Sequence, residues 1–297
     1  MIRSPFFYVG DKYKLVPQLQ GLFPHDINTY VEPFYGGGSS QLQVQANHYC
    51  LNDIDKYVIK LHRFLLRYRN RRNIFFARLY DIIDRYGFSC SFRNINVPTE
   101  LKRQYVKTYY SVYNNNAYQH LKDDFNAGGC KDMLMLYVLL IYGFNHMIRF
   151  NSKGLFNLPV GNVDFNKNVF DALNSYFDLQ ENRDLNLYSM DFERFINRLN
   201  LNNDDFVYFD PPYLISSSEY NKLWDEDNER RLYNLIDTLN RRGIRFGITN
   251  LLVHKGVKNT ILEEWSRRYF VEVINSNYIS YNDNSIKDGS IEIYVHN

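Results

Sequence analysis

The sequence predicts an α/β fold: a doubly wound, Rossmann-like sheet split by an inserted, mostly helical and basic domain that carries a β-hairpin. Short apolar runs ending at an acidic residue recur in both terminal parts of the chain and alternate with helical segments, which is typical of a parallel sheet covered by helices. The middle differs, because the stretch from Lys56 to Val160 shows a helical pattern and holds 17 Lys and Arg but 6 Asp and Glu, a balance of +11. The predicted domains are therefore 1–55 joined with 162–297, and the insertion 56–161.

Composition excludes several classes of protein. The chain has 297 residues, 17% aromatic and 23% charged, as expected for a folded protein with a sizeable core. Its three cysteines, Cys50, Cys90 and Cys130, are widely spaced without the pairing of a metal site, and their odd number favours a reducing compartment. No apolar run approaches the ~18 residues of a membrane span, and the first residues lack a signal-peptide core. We expect a cytoplasmic monomer that binds neither a metal nor a membrane.

A strand, a glycine-rich loop and a helix follow one another near the amino terminus. The predicted elements are a strand at 29–31, a loop from Glu32 to Gly38, a helix capped by Ser39 and extending to about residue 46, and a second strand at 48–51 that leads to Asp53. The glycines let the backbone approach a ligand, and an acid about 20 residues beyond Glu32 suits a pair of ribose hydroxyls. The glycine spacing does not match the G-x-G-x-x-G pattern of dinucleotide sites. Glu32 at the first strand end favours a cationic cofactor over a pyrophosphate.

The remaining elements continue the alternation. Within the insertion we expect helices with a looser interval at 89–99, breaks at 114–116 and 128–129, and an apolar core helix at Met133–Tyr142. Alternating large apolar and polar residues, with Gly154 after Lys153, predict the β-hairpin at 144–161. The later elements are expected to be the strands Leu185–Tyr188 and Phe206–Phe209, a helix at 225–241 stopped by Gly243, a strand at 244–249, a helix at 257–268, and the strands Phe270–Ile274 and Ser290–His296.

The tetrapeptide Asp210-Pro211-Pro212-Tyr213 is the most informative motif. It follows the apolar strand Phe206–Phe209, and its two prolines remove two backbone donors and stiffen the turn. The turn presents a carboxylate, free carbonyls and an aromatic ring. Such a set suits a planar heterocycle with an exocyclic amine, whose two N–H groups need acceptors and whose ring can stack. A strand-ending turn without chemistry is the alternative.

The basic residues are densest from Lys60 to Arg72, with Arg63, Arg67, Arg69 and Arg71 between them. Such a run is often only a solvated helix face. Here its sign agrees with that of the whole insertion, which favours contact with nucleic acid.

The order of these motifs resembles that of the Dam-type adenine-specific DNA methyltransferases, from residue 6 to the C-terminus. The segments that carry the resemblance are Tyr8-Val9-Gly10-Asp11-Lys12, the loop Val31 to Ser39, Asn52-Asp53-Ile54-Asp55, the hairpin segment Arg149 to Pro159, Tyr188-Ser189-Met190-Asp191-Phe192, Asp210-Pro211-Pro212-Tyr213, and the closing stretch from Ser276-Asn277-Tyr278 to Glu292-Ile293-Tyr294-Val295. Each segment is weak alone, and the shared order is specific. Phe7 and Asp11 depart from the family's lysine and second glycine.

The resemblance implies S-adenosylmethionine as methyl donor, S-adenosylhomocysteine as product, and the N6 amine of adenine as acceptor. The catalytic residues that it implies are Asp210, Pro211, Pro212 and Tyr213, with the Asp210 carboxylate and the Pro211 carbonyl accepting the amine hydrogens and Tyr213 stacking on the extruded base. The implied cofactor-binding residues are Tyr8, Gly10, Lys12, Glu32, Pro33, Phe34, Gly36, Gly37, Gly38, Ser39, Asp53, Asp191, Phe192 and Asp210. Asp53 would hold the ribose, Glu32 and Lys12 the methionine part, and Asp191 with Phe192 the adenine. Burial of Asp210 in an ion pair would contradict its role.

Double-stranded DNA is the partner that the resemblance implies. The expected DNA-binding residues are Phe144, Asn145, Met147, Arg149, Asn151 and Lys153 of the hairpin, and Arg63, Arg67 and Arg69 of the basic run. Arg149 falls at the family position that reads a guanine, which makes GATC a candidate target. An ion pair within the hairpin is the competing role for Arg149. A restriction-modification or phage context fits, with a cognate endonuclease acting on the same site and no stable complex.

Three alternatives remain open from the sequence. A nicotinamide-dependent dehydrogenase would share the first β-α-β unit, but its glycine spacing would differ and the basic insertion would have no purpose. Methylation of the cytosine amine, or of adenine in RNA, would use the same amine geometry. A DNA-binding protein with a decayed pocket is the third, and the intact Asp53 and Asp210 argue against it.

Overall fold

The computed structural model describes residues 1–8, 10–216, 224–275 and 289–297. They form two compact units. The helical unit consists of Met1–Asp11, Gly36–Leu42 and Lys56–Asn182, and the sheet unit of Lys12–Tyr35, Gln43–Asp55 and Arg183–Asn297. The assignment of DNA recognition to 56–161, and of cofactor binding to 1–55 and 162–297, remains a prediction.

Most of the helices and strands follow the apolar pattern of the sequence. The helices are α1 (Val16–Gln20), α2 (Lys56–Leu66), α3 (Arg72–Tyr86), α4 (Thr99–Gln104), α5 (Tyr109–Ala127), α6 (Met133–Tyr142), α7 (Lys167–Gln180), α8 (Phe192–Arg198), α9 (Glu226–Arg241) and α10 (Thr260–Ser266). The strands are β1 (Thr29–Glu32), β2 (His48–Asn52), β3 (Leu185–Tyr188), β4 (Phe206–Phe209), β5 (Arg245–His254), β6 (Val257–Lys258), β7 (Phe270–Ile274) and β8 (Ser290–His296). Among the described residues, no helix combines the length and apolarity needed to span a bilayer.

The sheet unit contains one sheet with the strand order β3-β2-β1-β4-β5-β8-β7, and β6 pairs with β5. The first five strands of this order run parallel, whereas β8 runs antiparallel to both β5 and β7. A mostly parallel sheet with helices is the Rossmann-like α/β fold that the alternation predicted. The chain order reverses between β1 and β4, so the carboxyl ends of these two strands border the crevice where such sheets bind ligands.

Each face of the sheet has its own apolar layer, because successive side chains of a strand point to opposite faces. Val31, Val207 and Phe246 pack with α8, α9 and α10 on one face. On the other face Phe23, which follows α1, contacts the rings of three strand residues, Phe206, Tyr208 and Tyr294, at centroid distances of 5.1, 5.0 and 5.9 Å. The sheet is therefore covered on both faces.

The helical unit is built around α6. Eight of the ten residues of this helix are buried, and the Asp132 side chain caps it by accepting hydrogen bonds from the Leu134 and Met135 amides. Helices α2, α3, α5 and α7 contribute the apolar residues that surround it, among them Leu61, Phe75 and Tyr118. A helix that is apolar all round has to be central, as the sequence predicted.

Several elements of the structure differ from those that the local sequence pattern predicted. The helix predicted at 39–46 is only a 3-10 helix at Gln41–Gln43. The Ser39 hydroxyl is buried without a hydrogen-bond partner among the described residues, so it caps nothing. Gln41 is instead buried and accepts a hydrogen bond from the Gln180 side chain, so tertiary contacts outweigh the local signal.

The break predicted at 114–116 was also wrong, because α5 continues through it. Asn114 is buried, and its side-chain oxygen accepts from the Ser89 amide while its nitrogen donates to the Ser89 hydroxyl. A residue that usually favours turns is thereby satisfied inside a helix.

The hairpin of 144–161 has antiparallel pairing but no continuous strands. Isolated bridges join Gly143 to Val160 and Phe150 to Phe156. The arm between them is broken by a 3-10 turn in which Asn145 and His146 have positive φ angles of 52° and 49°. Such φ values do not fit a strand.

The carboxyl-terminal third follows the prediction with shifted boundaries. Strands β3, β4, β7 and β8 match the predicted bounds. Strand β5 extends to His254, and the helix predicted at 257–268 is replaced by β6 and the shorter α10, which Asn259 caps. Val9 and the predicted family segment Ser276-Asn277-Tyr278 lie outside the described residues.

Candidate active site

Polar residues collect at the carboxyl ends of the parallel strands. Glu32 is the last residue of β1, Asn52 ends β2, Asp191 comes shortly after β3, and Asp210 directly follows β4. Parallel strands bring their carboxyl ends to the same edge of the sheet, so all four residues lie at this edge. The polar edge coincides with the reversal of strand order between β1 and β4.

Asp210 is held through one of its two carboxylate oxygens. Its Oδ1 lies 2.9 Å from the Lys12 ammonium, accepts the Thr249 hydroxyl at 3.0 Å and accepts the Tyr213 hydroxyl at 3.2 Å. Thr249 is itself paired with the Tyr208 hydroxyl at 2.9 Å. In the described part of the chain the hydrogen bonds to this carboxylate fall on Oδ1, and 17% of the side chain stays exposed. The carboxylate is thus fixed in orientation through Oδ1.

Lys12 was expected beside the methionine part of the cofactor, and the structure pairs it with Asp210. The ion pair leaves 17% of the Asp210 side chain exposed, so Asp210 is not completely buried in it, and the amine clamp stays a prediction. The Lys12 ammonium also lies 4.8 Å from the centroid of the Tyr213 ring. One cation therefore contacts both the acid and the aromatic residue of the tetrapeptide.

Tyr213 is more enclosed than a stacking platform needs to be. The residue is 8% exposed, and its hydroxyl, which has a single proton to donate, lies 2.6 Å from a Glu292 oxygen on β8 and 3.2 Å from Asp210 Oδ1. Pro211 is buried and Pro212 half-buried. The tetrapeptide is anchored to β8 and β5 through side chains, while the stacking of Tyr213 on a base stays a prediction.

Glu32 is a buried carboxyl group next to other acids. It is 2% exposed and accepts a hydrogen bond from the Tyr30 hydroxyl at 3.1 Å. Burial raises the pKa of Glu32 well above its usual value, the charges of Asp210 and Asp53 raise it further, and Lys12 opposes them. Because a buried acid surrounded by acids stabilises a nearby positive charge, this corner of the sheet edge suits a cationic ligand group.

Asn52 is a site residue that the sequence reasoning did not single out. Its side chain is buried, donates to the Pro33 and Met190 carbonyls at 3.0 and 2.9 Å, and accepts from the Met190 amide. Its carbonyl accepts from the Tyr35 amide. Asn52 thus ties together the segments that follow β1 and β3. An asparagine at a buried strand end was the only sequence signal.

The Asp53 and Asp191 carboxylates both accept hydrogen bonds from backbone amides that follow them closely in the chain. The Asp53 carboxylate accepts from the Asp55 amide at 2.8 Å, which is a strand-end turn. Asp191 caps α8 by accepting from the Glu193 and Arg194 amides, and it also forms an ion pair with Arg231 at 3.2 Å. Their cofactor contacts remain predictions, since each residue already has a structural role.

Three aromatic rings form a wall near the ends of β1 and β3. Phe34 lies 5.4 Å from Phe192 and 5.6 Å from Trp224, and Phe192 lies 5.8 Å from Trp224. The Trp224 indole N–H donates to the buried Glu229 at 2.6 Å. The sequence predicted Phe34 and Phe192 but not Trp224, which is distant in sequence from both. The wall suits a planar ligand group.

The glycine loop belongs to the helical unit together with Tyr8. Gly36 and Gly38 have positive φ angles of 47° and 75°. A Cβ atom on Gly37 would lie 2.8 Å from the Tyr8 Cβ, closer than carbon atoms approach without rearrangement. Gly10 also has a positive φ, of 79°. The loop conformation therefore needs glycine, and Tyr8 packs directly against it.

The hairpin residues predicted to read DNA lie in the helical unit and differ in exposure. Phe144 is 46% exposed, Asn145 and Lys153 are exposed, and Met147 is half-buried against the core. Asn151 closes the hairpin tip, because its side chain accepts from the Lys153 and Leu155 amides.

Arg149 is held by Asn157 across the hairpin. Its Nε donates to the Asn157 side-chain oxygen at 3.0 Å, and its Nη2 donates to the Asn157 carbonyl at 2.8 Å. The guanidinium is therefore oriented by the hairpin itself. Arg63 and Arg67 are exposed near the end of α2, and Arg69 is half-buried beyond it.

Comparison with known proteins identifies the family. A family model for the D12 class N6 adenine-specific DNA methyltransferases matches residues 8–283. Modification methylase StsI of Streptococcus sanguinis and type II methyltransferase M.FokI of Planomicrobium okeanokoites are each 31% identical over 100% of this chain, which spans 43% of their length. DNA adenine methylase of Salmonella typhi is 25% identical over a region that covers 72% of this chain and 66% of the length of that protein. The chain therefore belongs to the D12 class of N6 adenine-specific DNA methyltransferases.

Proposed function

We propose that this chain transfers a methyl group from S-adenosylmethionine to the exocyclic N6 amine of an adenine in a short duplex DNA sequence. The observation that carries the proposal is the Asp210 carboxylate at the end of β4, with Oδ1 held by Lys12, Thr249 and Tyr213. The family membership, and the similarity of this chain to part of two named DNA methylases, support it.

Asp210 and the Pro211 carbonyl act as an amine clamp. The adenine amine is a poor nucleophile because its lone pair is delocalised into the ring. When Asp210 Oδ2 and the Pro211 carbonyl accept its two hydrogens, the nitrogen is drawn toward a tetrahedral geometry and the lone pair is aimed at the incoming methyl group. Catalysis then consists mainly of positioning and electrostatics, and no stronger base is needed, because the methylated nitrogen is acidic enough to lose its extra proton.

The residues of the sheet edge fit the proposed cofactor. When bound, S-adenosylmethionine supplies an electrophilic methyl group on a sulfonium. The buried Glu32 carboxyl suits the ammonium of the methionine part, and Asp53 the ribose hydroxyls. The wall formed by Phe34, Phe192 and Trp224 suits the adenine ring. We therefore add Trp224 to the proposed cofactor-binding residues.

The proposed substrate is double-stranded DNA, which the positive balance of 56–160 would attract. An adenine inside a duplex is inaccessible to the clamp, so it has to leave the stack at a cost of about a few kcal/mol. We propose Arg149 as a base-reading residue and GATC as the first target to test. The names of the relatives also support a role in protecting DNA from a restriction endonuclease.

The decisive experiment is to incubate the chain with S-adenosylmethionine and defined duplexes and to digest the products to nucleosides. We expect N6-methyladenine at one sequence context, found by mass spectrometry and by sequencing of modified bases. N4-methylcytosine, or methylation of RNA alone, would contradict the proposal. In a parallel thermal-shift assay S-adenosylhomocysteine should stabilise the chain and NAD should not, because bound ligand stabilises only the state that binds it.

Replacement of Arg149 by alanine is expected to relax sequence preference at one base pair, at a cost of about 1–3 kcal/mol in discrimination. The hairpin should survive, because its bridges at Gly143 and Phe150 do not involve the Arg149 side chain. The matched control replaces Arg63, Arg67 and Arg69 by glutamine. These substitutions should weaken binding to all DNA sequences equally and reduce the salt dependence of binding. Methylation rates on a library of single-base variants distinguish the two results. A uniform loss with Arg149→Ala would make this arginine a phosphate contact.

A further inference from the structure

His62 is a fully buried histidine of α2 that contacts the glycine loop. Its Nε2 lies 2.9 Å from the Gly36 carbonyl oxygen, and its ring lies 4.2 Å from the Phe6 ring. A carbonyl only accepts hydrogen bonds, so Nε2 carries the proton and donates it. Burial lowers the pKa of His62 to about 4, so at neutral pH the ring is uncharged and still keeps this N–H.

Ser4 makes the equivalent contact with the next peptide. Its hydroxyl is buried and donates to the Gly37 carbonyl at 2.5 Å. The same hydroxyl accepts from the Phe6 amide at 3.2 Å, which orients its hydrogen toward the loop. The segment is anchored further, because the Tyr137 hydroxyl on α6 donates to the Pro5 carbonyl at 2.9 Å. Two side chains from separate segments thus bind two successive carbonyls of one loop.

Holding a carbonyl also orients the amide on the other side of the same peptide bond. In a trans peptide the C=O and the following N–H point in opposite directions, and the described residues contain no cis peptide. The contact of His62 with Gly36 therefore turns the Gly37 N–H away from His62. The contact of Ser4 with Gly37 turns the Gly38 N–H away from Ser4. The two side chains set the orientation of two consecutive backbone donors.

We propose that Ser4 and His62 are positioning residues that preorganise the glycine loop for cofactor binding by fixing the Gly36 and Gly37 peptide planes. The inference rests on the proposed function, because the loop is the predicted cofactor loop of the family. Neither residue touches the cofactor in this role, and each acts through the loop backbone. A loop that is already ordered loses less conformational entropy when a ligand binds.

Paired substitutions separate the hydrogen bond from the packing. His62→Phe keeps a ring against Phe6 but lacks the donor, whereas His62→Gln restores a donor without the ring. Ser4→Ala and Ser4→Thr make the same comparison for the hydroxyl. Loss of either bond should weaken S-adenosylhomocysteine binding by about fivefold to tenfold, and the donor-restoring variants should recover most of it. The KM for S-adenosylmethionine should rise in proportion, while the KM for DNA should change by less than about twofold.

Hydrogen exchange of the ligand-free chain tests the inference independently of activity. Amides of the loop 35–42 should exchange about tenfold faster in His62→Phe and Ser4→Ala than in the wild type, with the exposed His120→Phe as control. Unchanged exchange and unchanged S-adenosylhomocysteine affinity in both variants would overturn the inference. Failure of the wild type to bind S-adenosylhomocysteine would instead refute the proposed function, and the exchange rates would still decide whether the two side chains fix the loop.

Discussion

Replacement of Asp210 by asparagine is expected to lower kcat by about a thousandfold, the scale of losing one preorganised electrostatic contact to a reacting group. The substitution is nearly isosteric, so the reason is chemical. Lys12 has no acceptor capacity and must face an oxygen, which fixes the amide with its oxygen in the place of Oδ1. The amide nitrogen then takes the place of Oδ2 and points its hydrogens at the hydrogens of the adenine amine. The amide hydrogens and the amine hydrogens then repel each other, and the amine is no longer held.

Binding of S-adenosylhomocysteine should change far less, by under about threefold, since the asparagine can still accept from Lys12 and Thr249. Single-turnover methylation and calorimetric titration of the product measure the two quantities separately. The matched control is Asp26→Asn, an exposed acid of the sheet unit that pairs with Arg245. If Asp210→Asn keeps its turnover within tenfold of the wild type, the amine clamp is the wrong mechanism.

The sequence predicted the strand ends of this site better than their contacts. Strand β4 and the acid that follows it could be predicted because a short continuous apolar run ends at a proline-stiffened turn. The Lys12–Asp210 ion pair could not, because the two residues are joined only by the tertiary fold. The same holds for Asn52, whose side chain joins the ends of two strands, and for Trp224, whose indole is fixed by Glu229.

The loop shows why local signals fail near a site. The serine that follows the glycines predicted a capped helix at 39–46. The chain instead uses the carbonyls of Gly36 and Gly37 to accept from His62 and Ser4. Nothing in the sequence marks these two residues, since a buried histidine and a serine are ordinary in any core. Only their common target distinguishes them.

Replacement of Glu32 by glutamine is expected to stabilise the ligand-free chain and to weaken S-adenosylhomocysteine binding by about a hundredfold or more, the cost of losing one partner of a buried charge pair. In the ligand-free chain the neutral amide can still accept from Tyr30 and no longer faces the charges of Asp210 and Asp53. With ligand bound, the amide offers no charge to the ammonium of the methionine part.

The raised pKa of Glu32 determines how the difference in Tm between Glu32→Gln and the wild type changes with pH. Burial and the neighbouring acids raise the pKa of Glu32 in the folded chain, so the folded state holds a proton that the unfolded chain releases above a pH of about 4.5. Between a pH of about 4.5 and the raised pKa, the contribution of Glu32 to the stability of the wild type falls as pH rises. Glutamine does not titrate, so the stability of the variant does not fall for this reason. The difference in Tm between Glu32→Gln and the wild type should therefore be near zero at acid pH and grow with pH.

Thermal unfolding between about pH 5 and pH 9 measures this difference, with the exposed Glu272→Gln on β7 as control. A difference that shrinks with pH would mean that Glu32 is ionised and favourably paired in the ligand-free chain. Titrations over the same range should show wild-type affinity rising with pH, because the ammonium of the ligand favours the ionised form that the empty site resists. The variant should lack this rise. A gain in stability coupled to a loss of affinity is expected of a carboxyl group buried for ligand binding.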